Sequence, residues 1–388
     1  MFSFLTARKT VFGTGSISGI VKEVERIGGK KVGVVTDDGI VKSGLDVKLR
    51  SFLDKSGLKY GVWSSVEPEP SVDCAQAAAD FARAGDYDCI VGFGGGSSMD
   101  VAKAASVLLT NRGALSDYLG KPESIPNPPS RLVLCPTTAG TGSEVSNAAV
   151  FAVPEQKIKH VLYSSLLYPD VAILDPDLTR TMPPRITAQT GIDALCHAVE
   201  GYVSLNSSPL TDVVSEKAIK LVSENLRSAY FNGENMKARE NMLLAAYLAG
   251  LSLGNAGTVL GHAVGYAFGL ELHISHGLSI GMTMPYVLEY NAAADLKKHA
   301  KVASLMGENV EGLPLREAAF KAAEAFRKLL IDLGFPATIA ELGVKDDMIP
   351  LLAENVFKST SHVARNPRRP TRDEMKKLFE RALAGRLL

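Results

Sequence analysis

A chain of 388 residues exceeds what one ordinary hydrophobic core organises, and 46% hydrophobic with 22% charged residues is the balance of a globular protein in water, so two domains are expected. Lys plus Arg and Asp plus Glu are equal at 42 each, which leaves no basic surface for nucleic acid and no pull toward an acidic membrane. No apolar run reaches the roughly 18 residues of a bilayer span, the first residues lack a signal-peptide layout, and Cys74, Cys89, Cys135 and Cys196 are scattered with no C-x-x-C, so a cytoplasmic protein without a disulfide framework is expected.

The first half alternates strand-like and helix-like segments. After a strand-like K-T-V-F, the run Gly13 to Gly19 has the spacing G-x-G-x-x-x-G, which departs from a dinucleotide fingerprint and reads as an ordinary turn. Residues 31–36 are β-branched and strand-like, ending at Asp37, and 40–55 follow with helical spacing. Asp37 has two readings. One is a carboxylate that bonds the adenine ribose 2′-OH and repels a 2′-phosphate, favouring NAD over NADP. The other is a helix cap within T-D-D-G.

Strand-like 59–66, helical 72–84, buried-strand 88–93, helical 97–110 and apolar 131–135 continue the alternation. Such a pattern predicts a parallel sheet covered on both faces. Strand-like pieces at 148–153, 157–162 and 171–174 complete this half. Between the strand 88–93 and its helix lie Gly94, Gly95, Gly96 and Ser97. Glycines there let a pyrophosphate touch the backbone, and the helix N-terminus offers N–H groups and partial positive charge. Ser97 suits either a cap or a phosphate contact. Asp100 and Lys103, three apart, would pair on the helix face. The stretch Pro136 to Glu144, with Thr137, Thr138 and Thr141, suits ribose and phosphate, or an ordinary loop.

After Pro183-Pro184 the texture changes. Segments near 186–204, 210–227, 236–252, 257–268, 278–290, 293–306, 314–333, 346–357 and 371–385 have helical spacing, with Pro, Gly and Asn at most breaks and no convincing strand. The boundary falls near 180, giving an α/β domain over 1–180 and an all-helical domain over 181–388.

Within the first of these helices Asp193 and His197 stand four apart and so share a face. His262 lies in a second helical segment, with Tyr266 on its face, and His276 precedes a glycine. One carboxylate and three imidazoles suit a borderline divalent ion such as Fe, Zn or Mn; the competing reading of the Asp-x3-His pair is a hydrogen-bonded pair without metal. His262 and His276 would stand about 21 Å apart in one unbroken helix, so sharing an ion requires the chain to turn back near Gly269. His273 then lies near the cluster, as a fifth polar group or as a loop histidine. Cys196 beside His197 reads as a packed thiol, since neighbouring helical residues point about 100° apart.

Taken together, G-G-G-S-S-M-D-V-A-K (94–103), P-T-T-A-G-T-G-S-E-V (136–145), M-P-P-R-I-T-A-Q-T-G-I-D-A-L-C-H-A-V-E-G-Y (182–202), G-H-A-V-G-Y-A-F-G (261–269), S-H-G-L-S-I-G (275–281) and N-P-R (366–368) resemble the iron-containing, group III alcohol dehydrogenases. The resemblance implies a dehydroquinate synthase-like fold: an N-terminal parallel-sheet dinucleotide-binding domain, a C-terminal all-α domain, and an active-site cleft between them. It puts Asp193, His197, His262 and His276 on the metal ligands, Gly94, Gly95, Gly96, Ser97, Thr137, Thr138, Thr141 and Lys159 on the cofactor site, and Asp37 on the adenosine ribose. It also implies a homodimer or larger assembly, with residues 2–12 supplying a strand at the interface. Where many members carry a proton-relaying histidine one turn after the third ligand, this chain has Tyr266. Tyr266 and His273 are therefore the two candidates for that catalytic role.

The expected chemistry is reversible hydride transfer between an alcohol and NAD at a divalent ion, Fe2+ as the family's usual choice or Zn2+ on the same ligands. Residues 241–296 contain no Lys or Arg, which favours a small neutral alcohol or diol. Arg365, Arg368 and Arg369 keep a hydroxyacid such as 4-hydroxybutyrate open as the substrate. A dehydroquinate synthase-type lyase would need several basic residues for phosphate and carboxylate, which 241–296 lacks. A non-catalytic NAD or metal sensor is the third reading.

Overall fold

The computed structural model describes residues 2–121, 125–153 and 158–388. It falls into two compact units, Leu5–Met182 and Pro183–Leu388, the latter together with residues 2–4. The first carries strands β1 (Thr10–Phe12), β2 (Lys31–Asp37), β3 (Lys59–Val66), β4 (Cys89–Gly94), β5 (Arg131–Pro136), β6 (Ala148–Val153), β7 (Ile158–Tyr163) and β8 (Val171–Leu174). Its α-helices are α1 (Ile20–Arg26), α2 (Asp38–Lys42), α3 (Leu45–Ser56), α4 (Val72–Ala84) and α5 (Gly96–Thr110). Lys157, the first residue of one expected strand, lies outside the described residues.

Six strands form one parallel sheet in the order β1-β8-β5-β4-β2-β3. Both faces are covered, as the near-continuous apolar runs predict. Along β4, Ile90 packs with the α4 and α5 cluster, whereas Cys89, Val91 and Phe93 join Leu49, Leu53 and Val24 on the other side. This is the two-residue period of a strand, expressed as two cores. β6 and β7 stand apart as an antiparallel hairpin. One expected helix, 40–55, is two, because Gly44 sits in the left-handed region at φ 72° and breaks the chain between α2 and α3.

β2 connects outward to β3, while β4 connects the opposite way to β5. The sheet's order therefore reverses between the C-terminal ends of β2 and β4, where doubly wound sheets bind ligands.

The second unit is helical: α6 (Pro184–Val203), α7 (Pro209–Phe231), α8 (Met236–Ala256), α9 (Leu260–Gly269), α10 (His276–Ala292), α11 (Leu296–Leu305), α12 (Leu315–Asp332), α13 (Ile349–Asn355), α14 (Thr360–Arg365) and α15 (Arg372–Ala384). α14 falls where the sequence shows no helical period, since six residues are too few for one to register. Among the described residues no single helix is long and apolar enough to cross a membrane; α8 and α9 pass together only as a pair bent by 101°.

Candidate active site

α6 is the scaffold of the helical unit's polar cluster. Asp193, His197 and Glu200 occupy positions i, i+4 and i+7, one face of one helix, and all three are buried. Glu200 ties α9 to this face. Its Oε1 accepts the backbone N–H groups of Val259 (3.0 Å) and His262 (3.1 Å), which opens α9 against α6, and its Oε2 meets His262 Nδ1. With Nδ1 committed to a carboxylate, Nε2 is the nitrogen His262 would offer an ion, the usual arrangement of a metal-bound histidine. Burial pushes the Glu200 carboxyl up to about 7, against the pull of the His262 and Val259 N–H groups and nearby histidines.

The turn from Leu270 to Ser275 brings the chain back, and His276 opens α10. α9 and α10 can cross closely because Gly265 has no side chain; a Cβ there would stand 2.8 Å from the Ile280 Cα. His276 Nε2 thus comes to 3.4 Å and His197 Nε2 to 3.6 Å from Asp193 Oδ1. The His197 and His262 rings stack at 4.9 Å, and the His262 and His276 rings meet at 5.4 Å.

One donor atom from each of Asp193, His197, His262 and His276 lies within 4.8 Å of the others. Donors that share one ion at about 2.1 Å stand some 3–4 Å apart. Asp193 Oδ1 is buried and makes no hydrogen bond among the described residues although histidine nitrogens surround it, an oxygen suited to a cation. Burial alone would raise the Asp193 carboxyl, but His197, His276 and His262 carry it well below the ordinary carboxylate range. Burial lowers His197 to about 4, with Asp193 opposing. Anionic carboxylate and neutral imidazoles are the protonation states a divalent ion needs. The four residues fit one.

Tyr266, one turn beyond His262, lies with its ring 5.9 Å from His262 and 5.4 Å from His276. His273 is exposed, with its backbone in the left-handed region at φ 54°. The imidazole that joins these rings instead is His362, on α14: parallel to His262 at 6.1 Å and edge-on to Tyr266 at 5.7 Å. Burial, with His262 adding to it, lowers His362 to about 3. Glu200 and His362 are the two residues that sequence reasoning missed. The spacing D-x3-H-x2-E could have found Glu200; nothing local marks His362. Arg368 stacks on Tyr290 at 4.1 Å and bonds Glu374.

In the α/β unit, Asp37 ends β2 and takes the capping reading of its position. Oδ1 caps α2 through Ile40 N–H (3.0 Å), and Oδ2 accepts Ser98 Oγ–H (3.0 Å). It thereby meets the glycine turn at the reversal point of the sheet. Gly94, at φ 156°, has room for no Cβ: one would stand 3.1 Å from Asp37 Oδ2 and 2.7 Å from the Ser98 Cβ. Gly95 is the N-cap of α5, with no side chain bonded there, so Ser97 is not the cap. The first turn of α5 thus carries no side-chain cap among the described residues, and its N–H groups are the kind that can bind an anion.

Thr137 N–H bonds the Gly94 carbonyl (2.9 Å), and the Thr138 and Thr141 side chains close over Gly95 and Gly96. Asp100 and Lys103 do not pair on the helix face. Asp100 accepts Ser143 Oγ–H and Val150 N–H, while Lys103 Nζ donates to Ser146 O (3.0 Å) and Ala148 O (2.7 Å), so both bind the 143–150 segment to α5. Burial lowers Lys103 to about 8 and raises Glu144 to about 7. Lys159, on β7, pairs with Glu69 at 3.3 Å; burial raises the Asp100 carboxyl, with Lys103 and, more weakly, Lys159 opposing. The Gly13 to Gly19 turn is closed to phosphate: Asp175 accepts Gly15 N–H and Ile17 N–H.

Known proteins share this architecture along its whole length. A sulfoacetaldehyde reductase of Bilophila wadsworthia (strain 3_1_6) is 38% identical over 381 residues, 98% of each chain. The crystal structure of a 1,3-propanediol oxidoreductase superposes with a TM-score of 0.95 at 37% identity, covering 98% of this chain and 100% of that one. A sulfoacetaldehyde reductase from Bifidobacterium kashiwanohense, solved in complex with NAD+, gives 0.90 at 28% identity over 99% of each chain. The family model described as iron-containing alcohol dehydrogenase matches residues 7–176, and that of the Fe-containing alcohol dehydrogenase family's C-terminal part matches 187–383. This chain therefore belongs to the iron-containing alcohol dehydrogenase family and is an oxidoreductase.

Proposed function

We propose that the protein is an NAD-dependent dehydrogenase, holding one divalent ion, that interconverts small neutral alcohols or diols with their aldehydes. The observation that carries this reading is the convergence of Asp193, His197, His262 and His276 from three helices. These four would hold the ion, Fe2+ or Zn2+. When bound, the ion supplies a Lewis acid for the substrate oxygen and the nicotinamide supplies the hydride carrier.

The chain's own work is placement and charge. Glu200 fixes the His262 ring and its tautomer. Gly94 to Gly96 and the first turn of α5 present backbone N–H groups to the pyrophosphate, with Ser97, Thr137, Thr138, Thr141 and Lys159 around it. Asp37 binds the ribose hydroxyls and disfavours a 2′-phosphate. Tyr266 stands over the ligand rings as the group that passes the alcohol proton on; His273, exposed on its loop, is the weaker candidate.

The protein loaded anaerobically with Fe2+ should produce NADH from short alcohols or diols, and a chelator should abolish the signal. Full metal occupancy with no turnover across ethanol, butanol, propanediols, lactaldehyde and glycerol would overturn the reading in favour of a sensor. A charged substrate is the second reading: the charge of Arg365 reaches His362, and the Bilophila relative is named for an anionic aldehyde. A tenfold preference for 4-hydroxybutyrate or sulfoacetaldehyde would establish it. Four buried free cysteines fit a reducing cytoplasm. Exposed Phe2, Leu5 and Phe12 fit a homodimer contact through the N-terminal segment, which light scattering would test.

A further inference from the structure

His362 sits where the alcohol chemistry needs nothing more from an imidazole. The four residues of the cluster satisfy an ion by themselves, yet a fourth histidine ring lies parallel to His262, at a centroid distance of 6.1 Å and an angle of 1°, with the Tyr266 ring edge-on at 5.7 Å. Its Nδ1 is buried and makes no hydrogen bond among the described residues. A buried nitrogen without a partner is costly, and native proteins keep few of them without a ligand or water to satisfy them.

The ring is also held firmly. α14 is short, but the chain just past it is pinned to α10 by a reciprocal buried amide pair. Asn366 Nδ2 donates to Asn291 Oδ1 and Asn291 Nδ2 to Asn366 Oδ1, both at 2.8 Å. Arg368 then donates to the Tyr290 carbonyl at 3.1 Å. A side chain whose backbone is fixed in this way can place a hydrogen bond with little ordering cost.

A simple alcohol has one oxygen, which a bound ion would take, and Nδ1 would be left as it is. A substrate with a second oxygen gives Nδ1 a partner. A hydroxyl can accept from Nδ1 or donate to it and so satisfies either tautomer of the ring, whereas a carboxylate or sulfonate only accepts.

We propose that His362 is a specificity-determining residue whose Nδ1 hydrogen-bonds a second, uncharged oxygen of the substrate, so that short diols and hydroxyaldehydes are preferred to simple alcohols of the same carbon skeleton. This rests on the dehydrogenase reading above and assigns its substrate class.

The test compares kcat/KM for propane-1,2-diol, propane-1,3-diol and propan-1-ol in the Fe2+-loaded enzyme at saturating NAD, for wild type, His362→Ala and His362→Asn. Wild type should favour one of the diols by about tenfold, the worth of one neutral hydrogen bond. His362→Ala should bring that ratio near unity, chiefly through KM of the diol, while propan-1-ol falls by less than about threefold. His362→Asn, which keeps a donor and an acceptor near Nδ1, should restore part of the ratio. Iron content and thermal midpoint are measured on each variant.

Equal losses on diol and propan-1-ol, or loss of iron from His362→Ala, would overturn the proposal by showing that the ring only supports the cluster. An unchanged diol ratio would overturn it directly. A preference for sulfoacetaldehyde or 4-hydroxybutyrate that His362→Ala abolishes would overturn the uncharged class. Failure of iron-replete wild type on every alcohol would instead sink the dehydrogenase reading itself, and the assignment of His362 with it.

Discussion

The glycine turn of the α/β unit and the histidine cluster of the helical unit are built from opposite materials. At the turn, Gly94 to Gly96 contribute backbone alone, and what matters is that nothing occupies the Cβ positions. At the cluster, buried side chains from α6 and α9 and the half-buried His276 of α10 converge on one point, and the glycines only let the helices approach. A backbone site tolerates change in its surroundings but not an added methyl. A side-chain site tolerates small packing changes but not the loss of one donor.

Removing a donor should therefore give the largest effect. His262→Ala is expected to lose the ion and to lower kcat/KM by more than about a thousandfold, since Lewis-acid stabilisation is worth several kcal/mol. Metal analysis beside the rate assay decides: a metal-replete, active variant would remove His262 from the ligand set. One step further out, Glu200→Gln keeps the volume but weakens the acceptor for His262 Nδ1 and two N–H groups of α9. Metal affinity should fall about 10–100-fold with the fold intact, and unchanged affinity would show that Glu200 only caps α9.

The two sites were unequally legible. The glycine turn reads directly, because it is contiguous and sits between a strand and a helix with opposite periods. The parallel sheet is legible from the same alternation. The cluster's candidates could be named residue by residue, but their convergence depends on α9 turning against Glu200 and α10 against Gly265, contacts between elements that no single stretch displays. His362 was invisible for the same reason: a six-residue helix has no period, and its partners are about a hundred residues away. Asp100 and Lys103 misled because i, i+3 spacing suggests a surface pair, whereas both are drawn to the backbone of the 143–150 segment.

A pH experiment sharpens the contrast from the α/β side. Burial raises the Glu144 carboxyl to about 7, so between its ordinary value near 4.5 and pH 7 the folded state holds a proton the unfolded chain releases. Stability must then fall as pH rises through that window. Lys103 is lowered to about 8, so the folded state binds fewer protons up to its ordinary value near 10.5, and stability recovers there. Trp63, the single tryptophan, packs in this unit's core and reports its unfolding. Glu144→Gln should flatten the acid limb by roughly 2 kcal/mol; an unchanged slope would assign that limb to other groups.

Gly96→Ala tests the backbone site itself. The added Cβ would lie 2.6 Å from Thr141 Cγ2, so the 137–142 loop must yield. Affinity for NAD should drop by about tenfold through one lost or lengthened backbone contact, with metal content unchanged. Loss of metal in this variant would erase the distinction between the two sites.

The smallest effect is expected at Asp37, where the backbone site uses a carboxylate. Its carboxylate caps α2 and accepts from Ser98, so removal has a structural side to be separated from recognition. Asp37→Gly separates them, because glycine at an N-cap costs only a few tenths of a kcal/mol. What remains is the charge. A carboxylate about 4 Å from a 2′-phosphate is worth roughly 1 kcal/mol per unit charge in a watery setting, or about a fivefold shift toward NADP in the ratio of kcat/KM values. Added salt should shrink that shift in wild type, since the groups are half exposed and screened. A variant that discriminates as wild type does, at low and high salt alike, would return Asp37 to its capping role and leave the choice of cofactor to the shape of the glycine turn.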